Sequence, residues 1–168
     1  DGKLPVKIGV GLNTDSLVAG NIGSPKRMDY TVIGDGVNLA SRLESACKQY
    51  AAHILISENT FKKLKGTYRT REVDLVVVKG KTQPVAVYEV LDYHTDESFP
   101  NMMDGINQFR PGIKYYRDGH WDRAIGAFQE ALKANPNDKL SKIYIERCEH
   151  LKAEPPEKWD GVYVMKSK

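Results

Sequence analysis

An amide and a guanidinium one helical turn apart are the side chains of this sequence best suited to chemistry. Asn38 and Arg42 lie four positions apart in a helical run, residues 37–49, so they share one face of that helix. An Arg offers a fork of donors, an Asn can orient a sugar oxygen, and a helix N-terminus favours negative charge. The pair therefore suits a sugar-linked polyphosphate. The alternative is a solvated helix face on which Arg42 makes a salt bridge.

The elements around this helix must hold it in place. Residues 30–33 predict a strand that turns at Gly34-Asp35-Gly36 directly into the helix. Upstream we predict a strand over residues 6–12, with residues 17–22 as its hairpin partner. Downstream the pattern predicts a strand over 53–56, a helix from Ser57 to about residue 64, and a hairpin of 68–78 with 84–91, whose residues 76–78 are buried on both faces. This order indicates an α+β fold, an α/β sandwich.

The second half of the chain reads as helical. We expect a first unit over residues 1–92, a linker over 93–100, a helical hairpin plus third helix over 101–153, and an extended tail over 154–168. The helical part resembles a tetratricopeptide repeat, a motif of about 34 residues, through Gly112, Tyr115, Gly119, Ala124, Phe128, Ala131 and Pro136. Pro111 departs from that pattern, and we predict that it opens the first helix at its N1 position. One repeat cannot stand alone, so it should pack on the first unit or on a partner.

Composition excludes several classes of function. The 168 residues include 25 basic and 22 acidic ones, a net charge of +3 that is too small to indicate binding to nucleic acid or to a membrane surface. No apolar run is long enough to span a membrane. Cys47 and Cys148 lie in separate helical patterns, so we expect free thiols and a cytoplasmic location, with one disulfide as the alternative. The sequence lacks an initiator Met and opens within a strand pattern, so we expect a fragment.

Four blocks of sequence together resemble the class III nucleotidyl cyclases, in particular the bacterial adenylate cyclase branch. They are Gly9-Val-Gly-Leu-Asn-Thr14, Val18-Ala-Gly-Asn-Ile-Gly-Ser24, the stretch from Asp29 to Glu44, and Val78-Lys-Gly-Lys-Thr-Gln-Pro-Val85. The resemblance covers residues 5 to about 91. It implies the C-terminal portion of a partial ferredoxin-like catalytic domain.

The resemblance also implies a role for each matching side chain. Asn38 would hold the ribose, and Arg42 would neutralise charge that develops on the α-phosphate. Thr31 falls where the family selects adenine, and Lys79 where it binds the terminal phosphates. The reaction would be attack of the ribose 3′-hydroxyl of ATP on the α-phosphate, expelling pyrophosphate. It would use Mg²⁺ or Mn²⁺, whose ligands are expected upstream of this chain, and a homodimer with shared active sites.

Other interpretations stay open at this point. The family could act on GTP, although a Thr at position 31 is typical of enzymes that accept adenine. Alternatively the chain is a non-catalytic scaffold whose helical tail docks a protein partner. Judged alone, Thr31 is an ordinary strand residue, and Lys79 and Lys81 are turn lysines that keep an edge soluble.

Overall fold

A computed structural model gives the arrangement of residue 2, residues 4–77 and residues 82–162. The described part contains six strands and five helices. In chain order they are β1 (Val10–Leu12), β2 (Val18–Ser24), β3 (Arg27–Ile33), α1 (Asp35–Gln49), β4 (Ile54–Ser57), α2 (Glu58–Lys63), β5 (Thr70–Val76), β6 (Val85–Val90), α3 (Met102–Arg117), α4 (Trp121–Ala134) and α5 (Lys139–Ala153). Strands followed by packed helices confirm the mixed α and β class.

The strands form two sheets rather than one. A four-stranded sheet has the order β1-β4-β6-β5, with β1 parallel to β4 and the other pairs antiparallel. Strands β2 and β3 form a separate antiparallel hairpin, in which Val18 pairs with Ile33 and Ser24 with Arg27. The prediction that residues 17–22 pair with the first strand is therefore wrong. Strand β1 pairs instead with a strand that follows α1, because a helical crossover allows parallel pairing.

Two further predictions about the strands need correction. Strand β1 begins at Val10, and residues 6 and 8 before it are exposed rather than paired. The expected double burial of residues 76–78 fails where it can be checked, because Val77 is 51% exposed and Val76 only partly buried. Val78 lies outside the described residues. The predicted pairing of the last two strands of the first unit is confirmed by the β5–β6 register.

One apolar core runs through both halves of the chain. Helix α1 contributes Leu43 and Cys47, the sheet contributes Leu55, Val73 and Val87, and the three C-terminal helices contribute a set of buried aromatic residues, namely Phe109, Tyr116, Phe128 and Tyr144. The helical extension thus packs on the sheet, one of the two alternatives left open by the sequence. Removing aromatic surface from water supplies most of the drive for this docking.

Pro111 lies inside α3 and does not open it. The helix already begins at Met102, nine residues earlier. A proline there costs one backbone hydrogen bond, to the carbonyl of Asn107. Asn107 is exposed, so water can satisfy that oxygen, while Phe109 and Ile113 on the opposite face are buried and hold the helix together. Tertiary packing therefore outweighs the local preference of proline for a helix start.

Two helical glycines give a direct test of this packing. A Cβ at Gly112 would lie 2.6 Å from the ring of Phe128, whereas a Cβ at Gly126 would meet nothing within 4 Å. The Phe128 ring is fully buried between Phe109 and Tyr144 and has no room to move. We expect Gly112→Ala to destabilise the protein by about 1–2 kcal/mol, whereas Gly126→Ala stabilises it by up to about 1 kcal/mol through helix propensity.

Urea unfolding of both variants measures this difference. A stabilising Gly112→Ala would mean that α3 and α4 do not approach each other as described.

Candidate functional site

Helix α1 begins where the sequence turns out of strand β3. Gly34 precedes it with a φ of 141°, a backbone conformation that L side chains rarely adopt. The carbonyl of Gly34 accepts hydrogen bonds from the backbone N–H groups of Val37 and Asn38, each at 3.1 Å. Asp35 lies in the first turn, where its negative charge is favourable. Asn38 therefore stands in the first turns of the helix, as its spacing predicted.

Strand β1 and the residue after it fix the helix against the sheet. A Cβ at Gly11 would lie 2.3 Å from the backbone nitrogen of Glu44, so only glycine permits this close approach. The Asn13 side-chain amide donates to the carbonyl of Gly36 at 3.0 Å. Asn13 is itself held by Ser57, whose hydroxyl donates to the Asn13 amide oxygen at 2.6 Å. The N-terminal end of α1 is thus tied to β1 and to the end of β4.

The guanidinium of Arg42 is held at the end of strand β5. Its Nη1 donates to the carbonyl oxygen of Val77 at 3.0 Å. Arg42 is exposed and lines an open groove of about 450 Å³ between α1 and β5. Among the described residues this is the one hydrogen bond of the guanidinium, so its other donors have no partner in that part of the chain and could bind an anion. The residue is therefore oriented by the protein yet accessible from solvent.

Of the other predicted site residues, the structure describes Asn38 and Thr31 but not Lys79. Asn38 and Thr31 are both exposed, and neither side chain has a hydrogen-bond partner among the residues described. Thr31 lies in β3 opposite Gly20, on the hairpin that leads into α1, and does not line the Arg42 groove. Lys79 lies outside the described residues. Its position in the sequence is two residues after Val77, the partner of Arg42.

A buried polar junction, which the sequence analysis did not predict, lies behind the groove. Oδ2 of Asp74 in β5 accepts a hydrogen bond from the hydroxyl of Tyr50 at 2.5 Å and another from Arg147 Nη1 at 2.9 Å. Tyr50 is the residue that ends α1, and Arg147 belongs to α5. All three side chains are nearly fully buried. Burial, followed by the charge of Asp74, raises the pKa of Tyr50, so the tyrosine keeps its proton and donates it.

The described residues include no cluster of metal-binding side chains. Within residues 4–77 and 82–162 no three His, Cys, Asp or Glu side chains come together as a set of ligands. Asp74 is already occupied by Tyr50 and Arg147.

Comparison with protein families shows which family the domain that contains α1 belongs to. Residues 1–92 match the model of the adenylate and guanylate cyclase catalytic domain, a stretch that includes β1 to β6 and all of α1. The chain belongs to this family. Its cyclase part therefore carries Thr31, Asn38, Arg42 and Lys79, whereas the helices α3 to α5 lie beyond the matched residues.

The chain is similar to several individual proteins. The chain is 39% identical over 147 residues to the terminal-differentiation specific adenylate cyclase of Dictyostelium discoideum, covering 85% of this chain and 7% of that protein. It is 41% identical over 88 residues to an adenylate cyclase of Anabaena cylindrica, covering 51% of this chain and 18% of that protein. A solved adenylyl cyclase from P. aeruginosa is 44% identical, covering 51% of this chain and 43% of that one, with a TM-score of 0.41.

Two features of these matches bear on the chain. It spans less than a fifth of the length of either curated relative. The match to the Dictyostelium protein is longer than the cyclase part, so it continues past Asp92 into the helical extension. The extension and the cyclase part thus occur together in a second protein.

The close approach of β1 to α1 predicts a matched pair of glycine variants. Gly11→Ala should destabilise the cyclase domain by about 2 kcal/mol or more, because the new methyl group meets backbone atoms that cannot rotate away. Gly20→Ala in β2 is the control, since its Cβ would meet nothing within 4 Å. Thermal unfolding compares the two. Equal melting temperatures would show that α1 does not lie against β1.

Proposed function

We propose that this chain is the C-terminal part of an adenylate cyclase, which converts ATP to 3′,5′-cyclic AMP and pyrophosphate. The observation that carries the proposal is the exposed Arg42 guanidinium, oriented by Val77 above an open groove, on the helix that also bears Asn38. Both residues lie within the stretch that matches the cyclase family. The curated relatives reported above are named adenylate cyclases, which favours ATP as the substrate.

The proposed chemistry is an in-line displacement at phosphorus. The 3′-hydroxyl oxygen of the ribose forms a bond to the α-phosphorus, and the bond from that phosphorus to the oxygen bridging to the β-phosphate breaks. Pyrophosphate leaves, and the hydroxyl proton passes to solvent or to a base outside the described residues. Arg42 would neutralise the charge that grows on the α-phosphate oxygens, and Asn38 would orient the ribose so that the attack is in line.

Further parts of the site follow from the same proposal. Thr31 would hydrogen-bond the adenine, and Lys79 would bind the terminal phosphates. Cyclase catalytic domains use divalent metal ions, here Mg²⁺ or Mn²⁺, which neutralise triphosphate charge. The described residues do not fit such an ion, so its ligands would lie elsewhere in the full-length protein.

The exposed surface of the β2–β3 hairpin supports the proposal that a second copy of the chain is the partner. Apolar side chains are exposed along both of its strands and at the residue before the first, namely Leu17, Val18, Met28, Tyr30, Val32 and Ile33. Tyr30 is the most exposed of these residues, with 76% of its surface accessible to solvent. An apolar surface of this kind is typical of a protein interface. We propose that it belongs to a homodimer in which each subunit contributes the Asn38 and Arg42 side of one active site.

The proposal also divides the chain into a cyclase unit and a helical extension. We assign residues 1–92 to the cyclase unit, 93–100 to a connection, 101–153 to a tetratricopeptide-like helical hairpin with a third helix, and 154–168 to a tail. Trp159 of this tail packs against Tyr116 and Trp121.

Cys47 and Cys148 are both buried free thiols, which supports a reducing compartment such as the cytoplasm. No helix in the described part of the chain is long and apolar enough to cross a bilayer.

Replacing Arg42 tests the function most simply. In the full-length protein, Arg42→Ala should lower the kcat for cyclic AMP formation about 100-fold, because its charge is needed as the transition state forms, while the KM for ATP changes less than about threefold. Lys48→Ala is the control, since it removes an exposed cation from the other end of the same helix. A kcat that falls equally in both variants would contradict the role of Arg42.

Base selection is a separate prediction about Thr31. Thr31→Val keeps the shape of the side chain but removes its hydroxyl, so the preference for ATP over GTP should fall about tenfold. The ratio of kcat/KM for the two nucleotides measures it. Thr67→Val, at an exposed residue outside the hairpin, should leave the ratio unchanged. An unchanged ratio in Thr31→Val would remove Thr31 as the residue that reads the base, and a wild-type preference for GTP would favour the guanylate cyclase alternative.

A further inference from the structure

The helical extension reaches the Arg42 groove through a short chain of buried contacts. Arg147 of α5 donates to Asp74 of β5, and the same carboxylate oxygen accepts the Tyr50 hydroxyl from the end of α1. The other oxygen of Asp74 accepts the backbone N–H of Leu75 at 2.8 Å. Three elements of the fold therefore meet at one carboxylate, which lies in the wall of the groove that Arg42 lines.

The junction fixes both structural supports of Arg42. Tyr50 ends the helix that carries Arg42, eight residues along. Asp74 lies three residues before Val77, whose carbonyl binds the Arg42 guanidinium. Strand β5 is irregular at this point, because its register with β6 shifts between Glu72 and Asp74. A bulge bends its strand and interrupts the ladder of hydrogen bonds locally, and the side-chain contacts of Asp74 lie at this irregularity.

Resting on the adenylate cyclase function proposed above, we infer that Tyr50, Asp74 and Arg147 are positioning residues, through which the helical extension holds the catalytic Arg42 in place. The extension then contributes to catalysis by positioning Arg42. The guanidinium of Arg147 also lies over the rings of Tyr50 and Tyr144, at 5.3 and 5.2 Å from their centres, which fixes its direction.

The same face of the chain provides a matched control. Tyr144 of α5 donates its hydroxyl to the carbonyl of Val73, the residue next to Asp74. Tyr50 and Tyr144 each make one buried hydrogen bond to β5, but only Tyr50 caps the end of α1. Replacing either by Phe removes one hydroxyl from the core. The two variants should therefore lose similar stability and differ only in their effect on Arg42.

The experiment measures the kinetics of cyclic AMP formation by the full-length protein. We expect Tyr50→Phe to lower kcat about tenfold with little change in the KM for ATP, while Tyr144→Phe stays within about twofold of wild type. Thermal unfolding should show comparable losses for both. Equal kcat values for the two Phe variants would overturn the inference and would leave the proposed function intact.

A double-mutant cycle asks whether Tyr50 acts through Arg42. If it does, Tyr50→Phe should have no further effect on kcat in an Arg42→Ala background, whereas independent sites would give multiplied losses. Arg147→Met should reproduce the loss seen for Tyr50→Phe, and Arg147→Lys should restore part of it because the charge remains. Multiplied losses in kcat would overturn the positioning role. A wild-type protein that makes no cyclic nucleotide would instead overturn the proposed function, and with it the inference.

Discussion

The buried carboxylate of Asp74 links strand β5 to the end of α1 and to helix α5. A charge that is only 4% exposed is costly unless every oxygen has a donor. Here the donors come from Tyr50 at the end of α1, from α5 and from the backbone of β5 itself. Removing any one of them leaves part of a buried charge unsatisfied. This requirement favours one arrangement of the three side chains at the junction. Asp74 and Tyr50 also line the groove between α1 and β5, so that arrangement forms part of its wall.

A second buried ion pair shows that the extension and the cyclase part form one body. Arg71 of β5 makes two hydrogen bonds to Asp138, at 2.9 and 3.0 Å, and a third to Glu89 at 2.9 Å. Asp138 lies directly before α5, and Ser141 in its first turn donates to the same carboxylate. The guanidinium of Arg71 also lies 4.8 Å from the centre of the Phe109 ring. The family match ends at residue 92, yet the buried contacts continue well beyond it.

Local patterns in the sequence predicted a large part of this structure. The helical run after Gly36, the shared face of Asn38 and Arg42 and the last hairpin of the first unit all depend on neighbours in sequence, and the structure contains each of them. The partner of β1 could not be predicted in this way. Val10 pairs with Ile54 across an intervening helix, whereas a hairpin is the default for two nearby strands.

The buried junctions were beyond sequence reasoning for a related physical cause. Arg147 lies 73 residues from Asp74, and in a helix of mixed polarity it has the appearance of a surface arginine. Only the docking of α5 on β5 makes it a buried partner. The roles of Asn38, Arg42, Thr31 and Lys79 came from the resemblance to cyclases, because spacing alone equally allows a solvated helix face. The geometry adds the link from Arg42 to Val77, which spacing could not supply.

The most direct measurement is a crystal structure of the full-length protein with a non-hydrolysable ATP analogue. We expect the Arg42 guanidinium to lie within hydrogen-bond distance of the α-phosphate and Asn38 to lie against the ribose. We also expect Tyr50 and Arg147 still to share the Asp74 carboxylate behind them. A nucleotide bound away from α1, or an Arg42 side chain turned away from the phosphates, would contradict it.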